Sequence, residues 1–126
     1  MPDFLSLEDV LLLHSDQVDL YGGAHGVRDL NLLESAIAQP QATYGGTHLH
    51  GDLFEVAAAY LFHIVRNHPF MDGNKRTGAV AALAFLDLNG VEVDAPKGSL
   101  YDLTMSVATG QAGKAEIAEF FRKHAH

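Results

Sequence analysis

The chain has no cysteine, so neither a disulfide framework nor a zinc–thiolate site can be built from it. Its amino end, Met1 to Val10, lacks the basic start and apolar stretch of a secretory signal. No apolar run is long enough to span a bilayer. A cytoplasmic protein without membrane contact is the expectation. Cations are scarce: eight Lys and Arg stand against sixteen Asp and Glu, for a net charge of −8. Binding nucleic acid by phosphate neutralisation needs the opposite balance, so nucleic acid is not an expected partner. There is no internal repeat, linker or low-complexity tract. The 126 residues therefore read as one domain, 1–126, burying roughly two thirds of its unfolded surface.

Scarcity makes the placement of the cations informative. Arg66, Lys75 and Arg76 fall within eleven residues of one another. Arg66 also suits a helix C-terminus, where a cation meets the negative end of the dipole. Between these cations lies His68-Pro69-Phe70-Met71-Asp72-Gly73-Asn74. Pro69 disfavours helical geometry at the residue before it, so one apolar helix ends near His68. Another is expected from Thr77 onward. A helix start carries unpaired N–H groups and partial positive charge, which suits an anion. Lys75 and Arg76 add full charge, and Gly73 removes a side chain that would block close approach. Asp72 runs against that trend unless a divalent cation reconciles it with a phosphate. His68 can exchange a proton near neutral pH. Such parts suit phosphate transfer from a nucleotide.

The rest of the chain reads as helices. Ser6, with Asp9 three residues on, caps a helix running to about Tyr21. Leu7, Val10, Leu11, His14 and Val18 share its inner face, so His14 reads as a hydrogen-bonded core histidine. Tyr21 to Gly26 is a glycine-rich loop. A second helix spans about Asp29 to Gln39, with Leu30, Leu33 and Ile37 inward and Pro40 as its stop. Gly45-Gly46, between Thr43-Tyr44 and Thr47-His48, signals a two-residue hairpin. His48 and His50 have no third ligand nearby and read as solvated. Asp52 caps a third helix that buries Leu53, Val56, Ala57, Tyr60, Leu61, Ile64 and Val65. Ala79 to Leu88 is apolar almost all round and is taken as the central buried helix. Val91 to Val93 is extended. Ser99 caps a fifth helix through Leu100, Leu103 and Val107, closed at Gly110. The last, about Lys114 to His124, buries Ile117, Ala118 and Phe121, with His124 and His126 frayed. The expected fold class is all-α: a bundle of about six helices around a central buried one, with a candidate hairpin flap.

The stretch from His68 to Gly78 resembles the core motif of the Fic family, HPFxxGNGRxxR, in His68, Pro69, Phe70, Gly73, Asn74 and Arg76. It is closer to the Doc (death-on-curing) branch, HxFxDxNKR, in Asp72 and the Asn74-Lys75-Arg76 run. Two positions depart from the general pattern: Lys75 replaces the second glycine, and Ala79 stands where the last arginine would be. The resemblance implies a Fic/Doc-like bundle and a set of roles. His68 is the general base; Asp72 holds Mg²⁺; Gly73 and Asn74 shape the anion pocket. Lys75 and Arg76 neutralise phosphates and Phe70 anchors the loop; Arg66, by its place in the cation cluster rather than by the motif, is an additional candidate phosphate ligand. The hairpin, through Thr43, Tyr44 and Thr47, is expected beside the active site, docking the target by strand addition. Fic proteins typically transfer AMP to a hydroxyl, whereas the Doc branch transfers a phosphoryl group and blocks translation at elongation factor Tu. Lys75 crowds the seat of the α-phosphate and Ala79 cannot hold the outer phosphates. The expectation is thus an ATP-dependent kinase toxin acting on Ser or Thr, with AMP transfer or an inactive binding module as alternatives. The family's inhibitory [S/T]xxxE[G/N] motif does not occur in this chain, so restraint is expected from an antitoxin supplied in trans.

Overall fold

The computed structural model describes residues 2–126. Its helices are α1 (Leu7–Tyr21), α2 (Leu30–Ala38), α3 (Leu53–Asn67), α4 (Asn74–Leu88), α5 (Ser99–Ala108) and α6 (Lys114–His124). The fold is all-α apart from one antiparallel hairpin of β1 (Thr43–Tyr44) and β2 (Thr47–His48). Thr43 pairs with His48 and Tyr44 with Thr47 across Gly45-Gly46. Both glycines have positive φ, 59° and 83°, which is what a tight two-residue turn demands.

The caps follow the side chains. Ser6 Oγ accepts from the Asp9 N–H while Asp9 returns a bond to the Ser6 N–H, a full capping box. Asp52 caps α3 by accepting from the Glu55 N–H. α5 differs from expectation: Gly98 is its cap, and Ser99 lies inside the first turn with its hydroxyl donating to Pro96 O. Leu30, expected inward, is exposed because it opens α2 on the solvent side.

The central helix is α3, not α4. Val56 to Leu61, Ile64 and Val65 are all buried, and α3 packs on α2, α4, α5 and α6. α4 buries only one side; Leu88 is exposed, and Ala79, Val80 and Leu83 face a cleft. Its nearly continuous apolar run therefore serves two surfaces, a core and a cavity wall. Gly78 lets the two helices meet: a Cβ there would stand 2.8 Å from Val65 Cγ2 and 3.2 Å from Leu61 O.

The tail is tied rather than frayed. Val93 bridges Ala125, Asp94 N–H donates to His124 O, and His126 N–H donates to Glu92 O. His48 and His50 are half-buried rather than solvated, and His48 Nδ1 and His50 Nε2 are buried without a partner. Burial, then the cation of Lys114, then His50 push His63 down to about 4. Lys114 Nζ lies 3.4 Å from His63 Nε2 and donates to a neutral ring. His63 is thus neutral in the folded chain but protonates below about 6.5 when unfolded. Its contribution is intact above pH 6.5 and is lost as pH falls towards 4. We expect the melting temperature to drop by several degrees across that window, at roughly 4 °C per kcal/mol. His63→Gln should drop less; an equal drop would remove His63 as the cause.

Candidate active site

α4 begins three residues earlier than expected, at Asn74, so Lys75 and Arg76 belong to its first turn. Its first backbone bond runs from Thr77 N–H to Gly73 O, 2.9 Å. The N–H groups of Asn74, Lys75 and Arg76 therefore have no carbonyl behind them. Gly73, at φ 75° and ψ 20°, caps without a side chain, so no side-chain cap takes these donors. They and the helix dipole face a cavity of about 510 Å³ between α4 and α5. His68, Asp72, Gly73, Lys75 and Arg76 line one end of it. Lys75 and Ala79 lie one helical turn apart on the same face, and Ala79 leaves that wall without a cation.

His68 ends α3 in the left-handed region, φ 51° and ψ 53°. Among the described residues no other non-glycine has positive φ. Such a conformation costs about 1–3 kcal/mol and must be held by its surroundings. Arg28 does much of this: Nε donates to His68 O at 2.7 Å and Nη2 to Asn67 O at 3.0 Å. The backbone N–H groups of Arg28 and Asp29 both donate to Pro69 O, and Met71 N–H donates to Gly26 O. Val27 and Phe70 thereby form a bridge that clamps the loop on both sides of Pro69. The His68 side chain stays exposed to the cavity.

The far side of the loop rests on the core. Phe70 is fully buried and stacks on His14, centroids 3.8 Å apart and planes within 5°. His14 Nε2 donates to Asp72 O at 2.8 Å, so that nitrogen carries the proton. His14 is the hydrogen-bonded core histidine expected of it. The Asn74 amide is spent inside the loop, accepting from Phe70 N–H and donating to Phe70 O at 2.9 and 3.0 Å. It shapes the pocket; its side chain is not free for an anion.

Asp72 reaches the other way. Its Oδ2 accepts from Ala24 N–H at 3.2 Å and its Oδ1 from Gly73 N–H at 2.8 Å. Those two donors, ahead of the nearby Arg76, hold the carboxyl below its ordinary range, so it is ionised. A Cβ on Gly23 would stand 2.7 Å from Asp72 Oδ2, so the close approach requires glycine there. Among the described residues no cluster of three or more His, Asp or Glu could hold a metal alone. One exposed carboxylate with spare lone pairs instead fits Mg²⁺, which keeps waters and completes its shell with substrate phosphates. Arg76 leans back over the Tyr21 ring at 5.1 Å, with contacts of only 3.4 Å to Gln17 O and Gly22 O.

Two expected site members stand elsewhere. Arg66 Nη1 donates to Val107 O at 3.2 Å, and the side chain does not line the cavity. It fastens α3 to the end of α5 and is not a phosphate ligand in this geometry. The hairpin forms as expected, but at the amino end of α3, whereas the motif loop follows its carboxyl end. A helix of 15 residues puts about 22 Å between them. Thr43, Tyr44 and Thr47 therefore do not stand beside the cavity. The segment that packs against the motif loop is instead Gly22 to Asp29.

Six helices raise a bare helix start beside an imidazole and an ionised carboxylate. The chain belongs to the Fic/DOC family, whose model matches residues 4–86. It is 40% identical over 120 residues to "Protein kinase doc" of Escherichia phage P1, covering 94% of this chain and 93% of that one. It is 42% identical over 120 residues to "Toxin Doc" of Mycolicibacterium smegmatis, covering 94% and 90%. Among the described residues no helix is long and apolar enough to cross a membrane.

Proposed function

We propose that this chain is a Doc-type toxin that moves the γ-phosphoryl group of ATP to a serine or threonine of a protein target. The target class is a translation factor, elongation factor Tu by family resemblance, and an antitoxin restrains the toxin in trans. The relatives' names support both the toxin and the kinase reading. The observation that carries phosphoryl rather than AMP transfer is the shared face of Lys75 and Ala79. A cation stands at the helix start, and none stands one turn below, where outer phosphates would need one.

The γ-phosphate then lies over the free N–H groups of Asn74, Lys75 and Arg76, with Lys75 beside it and Arg76 swung in from Tyr21. The acceptor oxygen attacks Pγ, the bond from Pγ to the bridging oxygen breaks, and ADP leaves. His68 takes the proton of the acceptor hydroxyl. Mg²⁺, held at Asp72 when bound, offsets charge on the phosphate oxygens.

The test uses ATP labelled at the α or the γ position, with Mg²⁺ and a bacterial lysate. We expect label from the γ position on the target and none from the α position. A nucleotide-sized adduct would make the chain an AMP transferase, and no adduct despite ATP binding would make it a binding module.

A further inference from the structure

Helix α3 ends on a residue with two reasons to be elsewhere. His68 stands at φ 51° and ψ 53°, a region that any side chain disfavours. It also precedes Pro69, which pushes the residue before it towards extended backbone. Its imidazole is exposed and makes no hydrogen bond among the described residues, so the backbone alone aims the ring. Whatever holds that backbone decides where the ring points. The last carbonyls of a helix lack N–H partners, and a cation can take them. Arg66, in the last turn of α3, is turned away to Val107 O. Arg28 does the task from outside the helix, donating from Nε to His68 O at 2.7 Å and from Nη2 to Asn67 O at 3.0 Å. Among the described residues neither carbonyl has another donor from outside α3. The fork is rooted in α2. Asp29 caps that helix by accepting from Leu32 N–H at 3.0 Å, and Asn67 Nδ2 donates to Leu32 O at 3.0 Å.

We propose that Arg28 is a positioning residue for the transfer reaction, keeping His68 left-handed and its imidazole over the cavity. This rests on the reading of His68 as the general base. A planar guanidinium reaches two carbonyls at once, which an ammonium cannot do. Without the fork, His68 relaxes towards the extended backbone that Pro69 favours, and the ring leaves with it. The rest of the loop does not need the side chain. The backbone N–H groups of Arg28 and Asp29 hold Pro69 O in any variant, and Arg28 itself is exposed. The phosphate seat on α4 is likewise untouched. The bias against a left-handed non-glycine residue amounts to roughly 5- to 150-fold, which bounds the expected loss of rate.

The test follows label from γ-labelled ATP into a bacterial lysate, as maximal rate and as the ATP concentration giving half of it. The chains compared are the parent, Arg28→Ala, Arg28→Lys, His68→Asn and the double variant of Arg28→Ala with His68→Asn. Backbone carbon shifts of His68 report whether it stays left-handed. We expect Arg28→Ala to melt close to the parent, to lose the left-handed shifts and to fall in maximal rate within that range. Its half-saturating ATP concentration should not change, and Arg28→Lys should be intermediate. Residues that act as a unit are not additive, so Arg28→Ala should cost nothing further in the His68→Asn background. An unchanged rate or unchanged shifts in Arg28→Ala would overturn the positioning role. An equal further loss in the double variant would overturn it too, because Arg28 would then act without His68. A melting temperature far below the parent's in both Arg28→Ala and Arg28→Lys would make the residue structural. Parental activity in His68→Asn would remove the base, and Arg28's part in the reaction with it.

Discussion

Replacing His68 by alanine should lower the proposed target phosphorylation by roughly 10²–10⁴, the usual contribution of a positioned general base. The side chain is exposed and makes no hydrogen bond among the described residues, so its removal should spare the core. The backbone is the complication, because His68 sits in the left-handed region at φ 51°. Alanine tolerates that conformation no better than histidine, whereas asparagine tolerates it well. His68→Asn is therefore the control: it should match the parent in melting temperature and match His68→Ala in lost activity. In growing bacteria, both variants should relieve the arrest that the proposed toxin activity predicts for the parent expressed without an antitoxin. Full activity in either variant would remove His68 as the base. Loss of folding in His68→Asn would show that the imidazole is structural.

The inner face of every helix but α4 was largely legible, because burial on one side imposes the 3.6-residue period. Val10, His14 and Val18 on α1, Tyr60, Leu61 and Ile64 on α3, and Ile117 and Phe121 on α6 all lie where that period puts them. The period failed at α4, where a second apolar surface facing the cavity looks, in sequence, like deeper burial. The motif loop was legible as a set of residue types, but the division of labour within it was not. Asn74 and Asp72 are both polar loop residues by sequence. In space, one is used up on Phe70 and the other opens towards Ala24 and the cavity. Arg28 and the Gly22–Gly26 turn were missed because their partners lie some forty residues away. No local pattern carries such a contact. The only trace was the glycine density before Arg28, which reads as a loop without saying what it touches. Arg66 was misplaced for the opposite reason: nearness in sequence to the other cations was taken for nearness in space, and the turn of α3 points it at Val107.

Asp72→Asn should cut activity about a hundredfold at low Mg²⁺ and recover part of it at high Mg²⁺, as expected when a metal's share of charge stabilisation is weakened. In the proposed mechanism the carboxylate has two tasks, and the substitution should affect both. As a ligand, the introduced amide would offer a neutral oxygen in place of a negative one, so the cation is held less tightly but not excluded. As a tether, the amide keeps one oxygen for the Gly73 N–H and turns an NH₂ group towards the Ala24 N–H. Two donors then face each other, and the Gly22–Gly26 turn should come away from the loop. The tasks separate by readout. Rescue by Mg²⁺ reports the ligand, and faster amide exchange at Ala24 and its neighbours reports the tether. Gly23→Ala provides the complementary change, since its Cβ would meet Asp72 Oδ2 at 2.7 Å and push the turn away while leaving the carboxylate charged. That variant should exchange like Asp72→Asn but keep the parent's Mg²⁺ requirement. If Asp72→Asn matches the parent at low Mg²⁺, the carboxylate is not a metal ligand. If high Mg²⁺ restores nothing and Gly23→Ala is equally inactive, holding the turn is its dominant role.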